Sequence, residues 1–425
     1  MRIRRSTTTR GSDLTATASG PGALTRALVL PGEQELAQEL RRLGVHPEGV
    51  PLMAGKGVHL NLLVPGLDRR AAQLLKQEAL GQGAEAALPW RATADQEGPF
   101  TALLMGSLVQ LRAVIGRLAH PALGLGPLAA HLEQALTHYL QRAPWQLTLP
   151  DGRVLKGGRR TLVMGIINVT DDSFSGDGLG ASPQRAAEQA ARMADEGADL
   201  LDVGAESTRP GAAPVPVDQE LVRLLPCLEA VLARTGLPVS VDTYKARVAR
   251  AALGAGASMV NDISGLRDPE MPAVIVEREA PVVVMHIKGT PRNMQQSPHY
   301  QDLLGEVYAY LADCLARAAA AGIPETQVIV DPGFGFGKAV EHNLELLRRL
   351  GELRSLGRPV LAGTSRKSTI GRVLGGLPPE ERLEGTAATV ALAIANGADL
   401  VRVHDVKAMV RVARMTDAVV RGWQP

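Results

Sequence analysis

Residues 162–168 read Leu-Val-Met-Gly-Ile-Ile-Asn, a short apolar run that ends on a polar side chain. Seven further runs of this kind follow, and each ends beside polar residues. The apolar parts of the eight runs are Leu162–Ile167, Leu200–Val203, Val239–Val241, Met259–Val260, Val282–Met285, Val328–Val330, Pro359–Leu361 and Leu400–Val403. Strands that alternate with helical patterns predict a (β/α)8 (TIM) barrel, an α/β fold whose chemistry collects at the C-terminal strand ends. A doubly wound sheet is the alternative, but it would not give eight strand ends one shared rim.

Helical patterns separate these runs. They are expected at Pro183–Glu196, Val217–Arg234, Lys245–Gly254, Glu270–Arg278, Leu303–Ala321, His342–Leu350, Ile370–Leu374 and Gly385–Asn396. Gly-Ala pairs at 197–198, 256–257 and 397–398 each close a helix and open a strand, because glycine takes the left-handed C-cap conformation at little steric cost. The recurrence of this Gly-Ala pair between helix and strand favours a parallel barrel over an open sheet.

The chain is longer than such a barrel requires. It has 425 residues, whereas a (β/α)8 barrel takes about 250. We predict a disordered tail over residues 1–22, a small α+β domain over 23–143, and a barrel with an N-terminal hairpin over 144–425. The tail is rich in Arg, Ser, Thr and Gly, so a transit peptide is the alternative interpretation. The hairpin, Gln146–Leu149 and Val154–Leu155, is expected to cover the N-terminal mouth of the barrel.

The predicted N-terminal domain discloses no chemistry of its own. Its histidines show no metal-like spacing on one obvious element, and we interpret them as surface or core residues. Helices are expected at Glu33–Leu43, Leu67–Gln82, Gly106–Leu118 and Leu128–Arg142, and extended segments at Leu24–Leu30, Val58–Val64 and Phe100–Met105. The role of this domain stays open.

Composition excludes several classes of partner. The formal net charge is only +2, which gives no general reason to expect nucleic acid or a membrane. No apolar run reaches the roughly 18 residues of a membrane span. Cys227 and Cys314 stand singly, without disulfide or zinc spacing, and a reducing cytoplasm fits them best.

Two neighbouring strand ends predict a metal and anion site. Asn168 ends the first strand, and its amide oxygen is a ligand suited to Mg²⁺, which also keeps waters and takes phosphate oxygens. Arg402 and His404 lie two residues apart on the last strand, so both side chains point the same way. A barrel closes its last strand on its first. The sequence therefore predicts Mg²⁺ beside a diphosphate clamp.

Across the rim, a second polar set predicts the recognition of a flat heterocycle. Asp242 and Asp331 are expected to face inward with no adjacent arginine, and so to need a ligand that donates hydrogen bonds in pairs. An aminopyrimidinone ring does this, while Asn261 and Lys367 suit its remaining edge. Helix N-capping is the alternative role for either aspartate alone. The glycine loop from Asp331 to Lys338 lacks the Walker spacing, and its Phe336 is expected to form an apolar wall.

These motifs, in this order, resemble the dihydropteroate synthase family over residues 161–425. The motifs are Gly165-Ile-Ile-Asn-Val-Thr170, Glu206-Ser-Thr-Arg-Pro210, Ser240-Val-Asp-Thr243, Val260-Asn-Asp-Ile263, Met285-His286 with Gly289-Thr-Pro-Arg292, Asp331–Lys338, Thr364-Ser-Arg-Lys-Ser368 and Arg402-Val-His404. The resemblance implies that (7,8-dihydropterin-6-yl)methyl diphosphate and 4-aminobenzoate are joined to give dihydropteroate and diphosphate. These small molecules are the expected partners, together with a second copy of the chain in a homodimer.

The resemblance also implies a role for individual residues. Asn168 would hold Mg²⁺, Arg402 and His404 the diphosphate, and Asp242, Asn261, Asp331 and Lys367 the pterin, with Asp242, Lys367, Arg402 and His404 as the catalytic set. Thr208, Arg209, Pro210, Phe336 and Ser368 would face the aminobenzoate, and Met285 and Gly363 would also line the substrate site.

Two departures from the family pattern fall in the first loop. Asp171 stands where the family usually has proline, and Gly176-Asp177-Gly178 replaces its usual Asp-Gly-Gly order. Two other functions remain as alternatives. A methyltransferase domain acting on a methylated folate would need neither Ser365–Ser368 nor the anion clamp. A non-enzymatic pterin-binding protein would have no reason to keep every residue of the anion site.

Overall fold

The computed structural model describes residues 25–30, 32–92, 98–141, 143–170, 181–207, 209 and 211–423. The chain forms two compact units, which divide between Glu133 and Gln134. The predicted boundary at residues 143/144 lies later in the chain. The difference arises because the end of one helix belongs to the second unit, where His138 Nδ1 lies 3.3 Å from the carbonyl oxygen of Ser355.

The first unit is a small α+β fold, as predicted. Its elements are α1 (Glu33–Arg42), α2 (Gly49–Ala54), β1 (His59–Leu67), α3 (Arg69–Gly81), β2 (Glu85–Ala87), β3 (Phe100–Ser107) and α4 (Leu108–Leu118), and α5 (Gly126–Leu140) crosses into the second unit. The antiparallel sheet has the order β1-β3-β2. The extended segment predicted at Leu24–Leu30 is wrong, since its described residues, 25–30, form no strand. The sequence analysis also missed α2 and β2, which are too short to show a period.

After the end of α5, the second unit contains the predicted hairpin and then the predicted barrel. The hairpin is β4 (Trp145–Thr148) paired with β5 (Val154–Gly157). The barrel strands are β6 (Leu162–Asn168), β7 (Leu200–Gly204), β8 (Val239–Asp242), β9 (Met259–Asp262), β10 (Val282–Met285), β11 (Val328–Asp331), β12 (Leu361–Ala362) and β13 (Leu400–Val403). They form a parallel sheet in which β13 pairs with β6, and a bridge between Val330 and Val360 completes the circle. An open sheet is therefore excluded.

Helices surround this barrel in the described part of the chain. They are α6 (Pro183–Asp195), α7 (Val217–Arg234), α8 (Ala246–Gly254), α9 (Met271–Glu277), α10 (Leu303–Ala320), α11 (Val340–Arg348), α12 (Ser368–Val373), α13 (Leu383–Ala395) and α14 (Val406–Arg421). The eight predicted helices are all present with small shifts at their ends. The sequence analysis missed α14, although Val406, Met409, Val410 and Ala413 are buried at helical spacing along it. None of the helices that the structure describes is long and apolar enough to cross a membrane.

A layer of apolar side chains fills the lower part of the barrel. Each strand except β8 contributes, and the hairpin contributes Leu147, which is fully buried against them. The members from the strands are Leu162, Met164, Leu200, Met259, Val283, Ile329, Leu361 and Leu400. The hairpin thus covers the N-terminal mouth, as predicted. Because the lower interior is packed, polar side chains that point inward are confined to the upper, C-terminal end, which is where the site lies.

Candidate active site

An arginine paired with two carboxylates lies at the upper end of the barrel. Arg402 on β13 donates from Nε to Asp202 Oδ2 at 2.6 Å and from Nη2 to Asp242 Oδ2 at 2.7 Å. Three strands supply this group, because inward-pointing side chains of different barrel strands share one interior. The expectation that Asp242 has no adjacent arginine is therefore wrong.

Asp202 is a site residue that the sequence analysis missed. It lies on β7 with a fully buried side chain, and its Oδ2 also accepts a hydrogen bond from Asn261 Nδ2 at 3.0 Å. The signal was available in the sequence. A carboxylate in the middle of the core strand Leu200–Gly204 must be paired, because aspartate is almost never fully buried otherwise.

Several buried polar atoms around this group have no hydrogen-bond partner. They are Asp202 Oδ1, Asp242 Oδ1, Asn261 Oδ1 and Ser240 Oγ. A buried polar group left unpaired costs ~1–3 kcal/mol. Three of the four atoms can only accept, so the arrangement is matched by a ligand that presents several N–H groups along one edge.

A glycine loop holds the next carboxylate. Asp331 ends β11, and its Oδ1 accepts a hydrogen bond from the backbone N–H of Gly333 at 2.7 Å. The buried ammonium group of Lys338 closes the loop by donating to the carbonyl oxygens of Gly333 at 3.0 Å and Phe336 at 3.2 Å. Its third contact is with His286 Nδ1 at 2.8 Å. Asp331 is thus fixed by its own loop, not by a helix cap.

Burial shifts the titration of the site toward neutral pH. It raises the pKa of Asp242 to about 7 and that of Asp331 to about 6. It lowers the pKa of Lys367 to about 8, and the positive charge of Arg402 acts in the same direction. The ammonium group of Lys367 lies 4.3 Å from the centre of the Phe336 ring. Small changes in environment therefore change the charges of Asp242, Asp331 and Lys367.

The two residues of the predicted anion clamp, Arg402 and His404, contact different side chains. Arg402 is engaged with the two carboxylates, whereas His404 Nδ1 lies 3.0 Å from Ser365 Oγ, and Ser365 Oγ also accepts from the His404 backbone at 3.2 Å. Asn168 ends β6, the strand beside β13, and is half-buried. No cluster of three metal-ligating His, Cys, Asp or Glu side chains occurs among the residues that the structure describes.

Apolar side chains form a wall beside these polar groups. Met285 is buried with Ile263, Ile287 and Met294, and Phe336 packs against this cluster. A flat ring placed against Asp331 and Asn261 would contact such a wall. The wall and the polar edge together suit a planar heterocycle.

The remaining predicted residues contribute less to the described geometry. The charge of Arg209 helps to lower the pKa of Lys367, which places Arg209 on the same side of the rim. Gly363 leaves room beside Arg402, because a Cβ there would meet only the Cβ of Arg402, at 4.0 Å. Ser368 is exposed at the start of α12. Thr208 and Pro210 lie outside the described residues, as do Asp171 and 176–178.

Fold and site together define a barrel enzyme built to hold a flat, hydrogen-bond-donating ring, and comparison with known proteins agrees. Residues 164–404 match the model of the pterin binding enzyme family. Over 275 residues, the chain is 48% identical to the dihydropteroate synthase of Synechocystis, covering 64% of this chain and 95% of that protein. A crystal structure of the Xanthomonas albilineans dihydropteroate synthase in complex with 7,8-dihydropteroate is 42% identical, with a TM-score of 0.57, over 64% of this chain and 98% of that one. The chain belongs to the pterin-binding enzymes, and within them to the dihydropteroate synthases.

One relative also resembles the first unit. A probable bifunctional folylpolyglutamate synthase/dihydropteroate synthase from Halobacterium salinarum is 42% identical over 383 residues, which is 90% of this chain and 46% of that protein. A match over 90% of the chain extends well beyond residues 134–425. The first unit therefore has a counterpart in that relative.

Gly333 provides a test of how the Asp331 loop is held. Its φ is +69°, and an added Cβ would lie 1.9 Å from the carbonyl oxygen of His286. Gly322 has a similar φ of +88° with nothing within 4 Å of an added Cβ. We expect Gly322→Ala to lower the free energy of unfolding only by the cost of a left-handed backbone at alanine, about 1–2 kcal/mol. Gly333→Ala should lower it clearly more, as measured by urea unfolding. Equal losses would show that the loop can move away from His286.

Proposed function

We propose that this site condenses (7,8-dihydropterin-6-yl)methyl diphosphate with 4-aminobenzoate to give dihydropteroate and diphosphate. The observation that carries the proposal is the cluster of buried hydrogen-bond acceptors around Asp202, Asp242 and Asn261, together with Asp331. An aminopyrimidinone ring presents its 2-amino group and ring N–H on one edge, which this cluster matches. The family membership supports the same assignment.

The pterin is placed by the polar set and the apolar wall. Asp331 and Asn261 take the ring edge, and the ammonium group of Lys367 donates to the ring carbonyl oxygen. Met285 and Phe336 cover the faces of the ring. Charge matters here, because Asp331 accepts from two N–H groups only when it is ionised.

The reaction requires the departure of an anion and the attack of a neutral amine. The bond between the methylene carbon and the diphosphate oxygen breaks, and its electron pair leaves with diphosphate. The resulting cation is conjugated with the pterin ring, where the carboxylate of Asp242 stabilises it. The amine nitrogen then bonds to the methylene carbon and loses a proton to solvent. These reaction steps need no nucleophile from the protein.

Arg402 can serve both the carboxylates and the diphosphate. A guanidinium group has five N–H donors, and the bonds to Asp202 and Asp242 use Nε and one proton of Nη2. The other protons remain for a phosphate oxygen. His404, oriented by Ser365, supplies a second donor at the same strand end.

Mg²⁺ fits this donor set as an ion bound together with the diphosphate. The protein offers the amide oxygen of Asn168 and no cluster of three acidic or imidazole ligands in the described residues. Mg²⁺ commonly binds with few protein ligands, several waters and substrate phosphate oxygens. When bound, it neutralises charge on the leaving group.

Diphosphate release measures the proposed function directly. We expect release over many turnovers only when 4-aminobenzoate and Mg²⁺ are both present, because without the amine the cation can only recombine with diphosphate. A chelator should inhibit strongly, and excess Mg²⁺ should reverse the inhibition. Release without the amine would indicate a hydrolase. No release under any condition, with the pterin still bound, would favour the non-enzymatic alternative.

Asp331→Asn tests the placement of the pterin. Loss of a charged hydrogen-bond partner costs ~1.5–3 kcal/mol, so pterin diphosphate affinity should fall about tenfold or more in calorimetry at pH 7.5. Wild-type affinity should rise with pH through about 6, where Asp331 ionises, and this part of the profile should be absent from the variant.

The melting temperature of Asp331→Asn is the control. Because the pKa of Asp331 is raised in the folded protein, any stability that it contributes is present at low pH and lost above about 6. At pH 7.5 the variant should therefore be at least as stable as the wild type. Unchanged pterin affinity in a folded variant would remove Asp331 from the site.

We also propose a homodimer that pairs through α12–α14. These helices and the residues that follow them expose large apolar side chains: Val373, Leu374, Leu383, Leu392, Met415, Val419, Val420 and Trp423. Such a patch is typical of an interface, and a two-fold interface buries the same patch of both copies. α13 and α14 pack against each other, so the exposed side chains of these two helices lie on adjoining elements.

Sedimentation of charged variants tests this interface. Leu392→Glu with Met415→Glu should convert the dimer to a monomer, because two charges would be buried without partners. Val222→Glu is the matched control, since Val222 is as exposed but lies on α7. A monomeric wild type, or a dimer in all variants, contradicts this interface.

A further inference from the structure

A buried lysine behind Asp242 uses all three of its protons. Lys245 Nζ donates to Glu206 Oε2 at 2.7 Å, to Glu220 Oε2 at 2.5 Å and to the carbonyl oxygen of Val215 at 2.5 Å. The side chains of Lys245, Glu206 and Glu220 are only 13%, 7% and 0% exposed. Nothing in the reaction described above uses this group.

The partners of Lys245 connect two loops of the rim. Glu206 Oε1 accepts from the backbone of Val215 and from the hydroxyl of Tyr244, both at 3.0 Å. Glu220 Oε1 accepts from the hydroxyl of Thr243 at 2.8 Å. The two ends of the loop over residues 206–215 are therefore fixed to the residues that directly follow Asp242.

Lys245 supplies the positive charge that holds the two buried carboxylates, Glu206 and Glu220, together. Burial raises the pKa of Glu220, and the bond to Lys245 opposes that rise. Without the ammonium group, two buried carboxylates would face each other with hydroxyl and backbone donors alone. They would then separate or take up protons, and either outcome moves the loop relative to Asp242.

We propose that Lys245 is a positioning residue for the amine acceptor site. It fixes the two ends of the segment 206–215, Glu206 and Val215, to the residues that follow Asp242. That segment includes the proposed aminobenzoate contact Arg209. The inference rests on the proposed function. It predicts a defect specific to the second substrate, whereas a general loss of stability would not distinguish between the substrates.

Lys245→Met separates these two effects, and Arg247→Met is the matched control. Arg247 lies two residues away on α8 and pairs with Asp218 on α7, the helix that also carries Glu220, but the side chains of that pair are 67% and 79% exposed. Steady-state diphosphate release would give kcat and the KM for each substrate, with melting temperatures measured in parallel. We expect Lys245→Met to raise the KM for 4-aminobenzoate about tenfold or more, with the KM for the pterin changed about twofold or less. Arg247→Met should match the wild type, and Lys245→Arg should restore much of the loss.

Another variant tests the positioning role if Lys245→Met does not fold. Glu206→Gln retains the size of the side chain and the Lys245–Glu220 pair, and it should raise the 4-aminobenzoate KM in the same direction by a smaller factor. If Lys245→Met folds, its combination with Glu206→Gln should raise the 4-aminobenzoate KM by less than the product of the two single effects. A lower melting temperature with both KM values unchanged, or an equal rise in both, overturns the positioning role. A wild type without amine-dependent turnover overturns the proposed function instead.

Discussion

The pairing of Arg402 with Asp202 and Asp242 is the constraint on which the rest of the site depends. Burial alone would lower the pKa of Arg402, but the two aspartates raise it above its ordinary value. A buried charge of this kind is tolerated only when an opposite charge is paired with it. Strands β7, β8 and β13 must therefore present these side chains at one height in the barrel.

Both carboxylate loops are then held by a buried lysine. Lys338 bonds to the loop that follows Asp331, and Lys245 bonds to the loops beside Asp242. Each ammonium group is fully hydrogen-bonded within the protein. The carboxylates that face the substrate therefore sit on rigid supports, which is what recognition of a small, planar ring requires.

The repeating pattern of strand and helix was sufficient to predict the barrel and its closure, and the turn residues Pro150-Asp151-Gly152 predicted the hairpin below it. It also placed Asn261, Asp331, Lys367 and Arg402 at one rim, because parallel strand ends share an edge. The pairing of Arg402 with Asp242 could not be predicted in this way. Strand order fixes which residues share an interior, whereas the partner of each charge depends on the direction of side chains across the barrel. Asp202 and α14 were missed although their signals were present, and the loop contacts of Lys245 have no periodic signature at all.

Because the hairpin covers the lower mouth of the barrel with Leu147, the site can be reached from the upper, C-terminal end. Under the proposed function, the pterin diphosphate and 4-aminobenzoate must enter by that end, and diphosphate and dihydropteroate must leave by it. The loops of one rim therefore control access for all four molecules, because a small β-hairpin covers the opposite face.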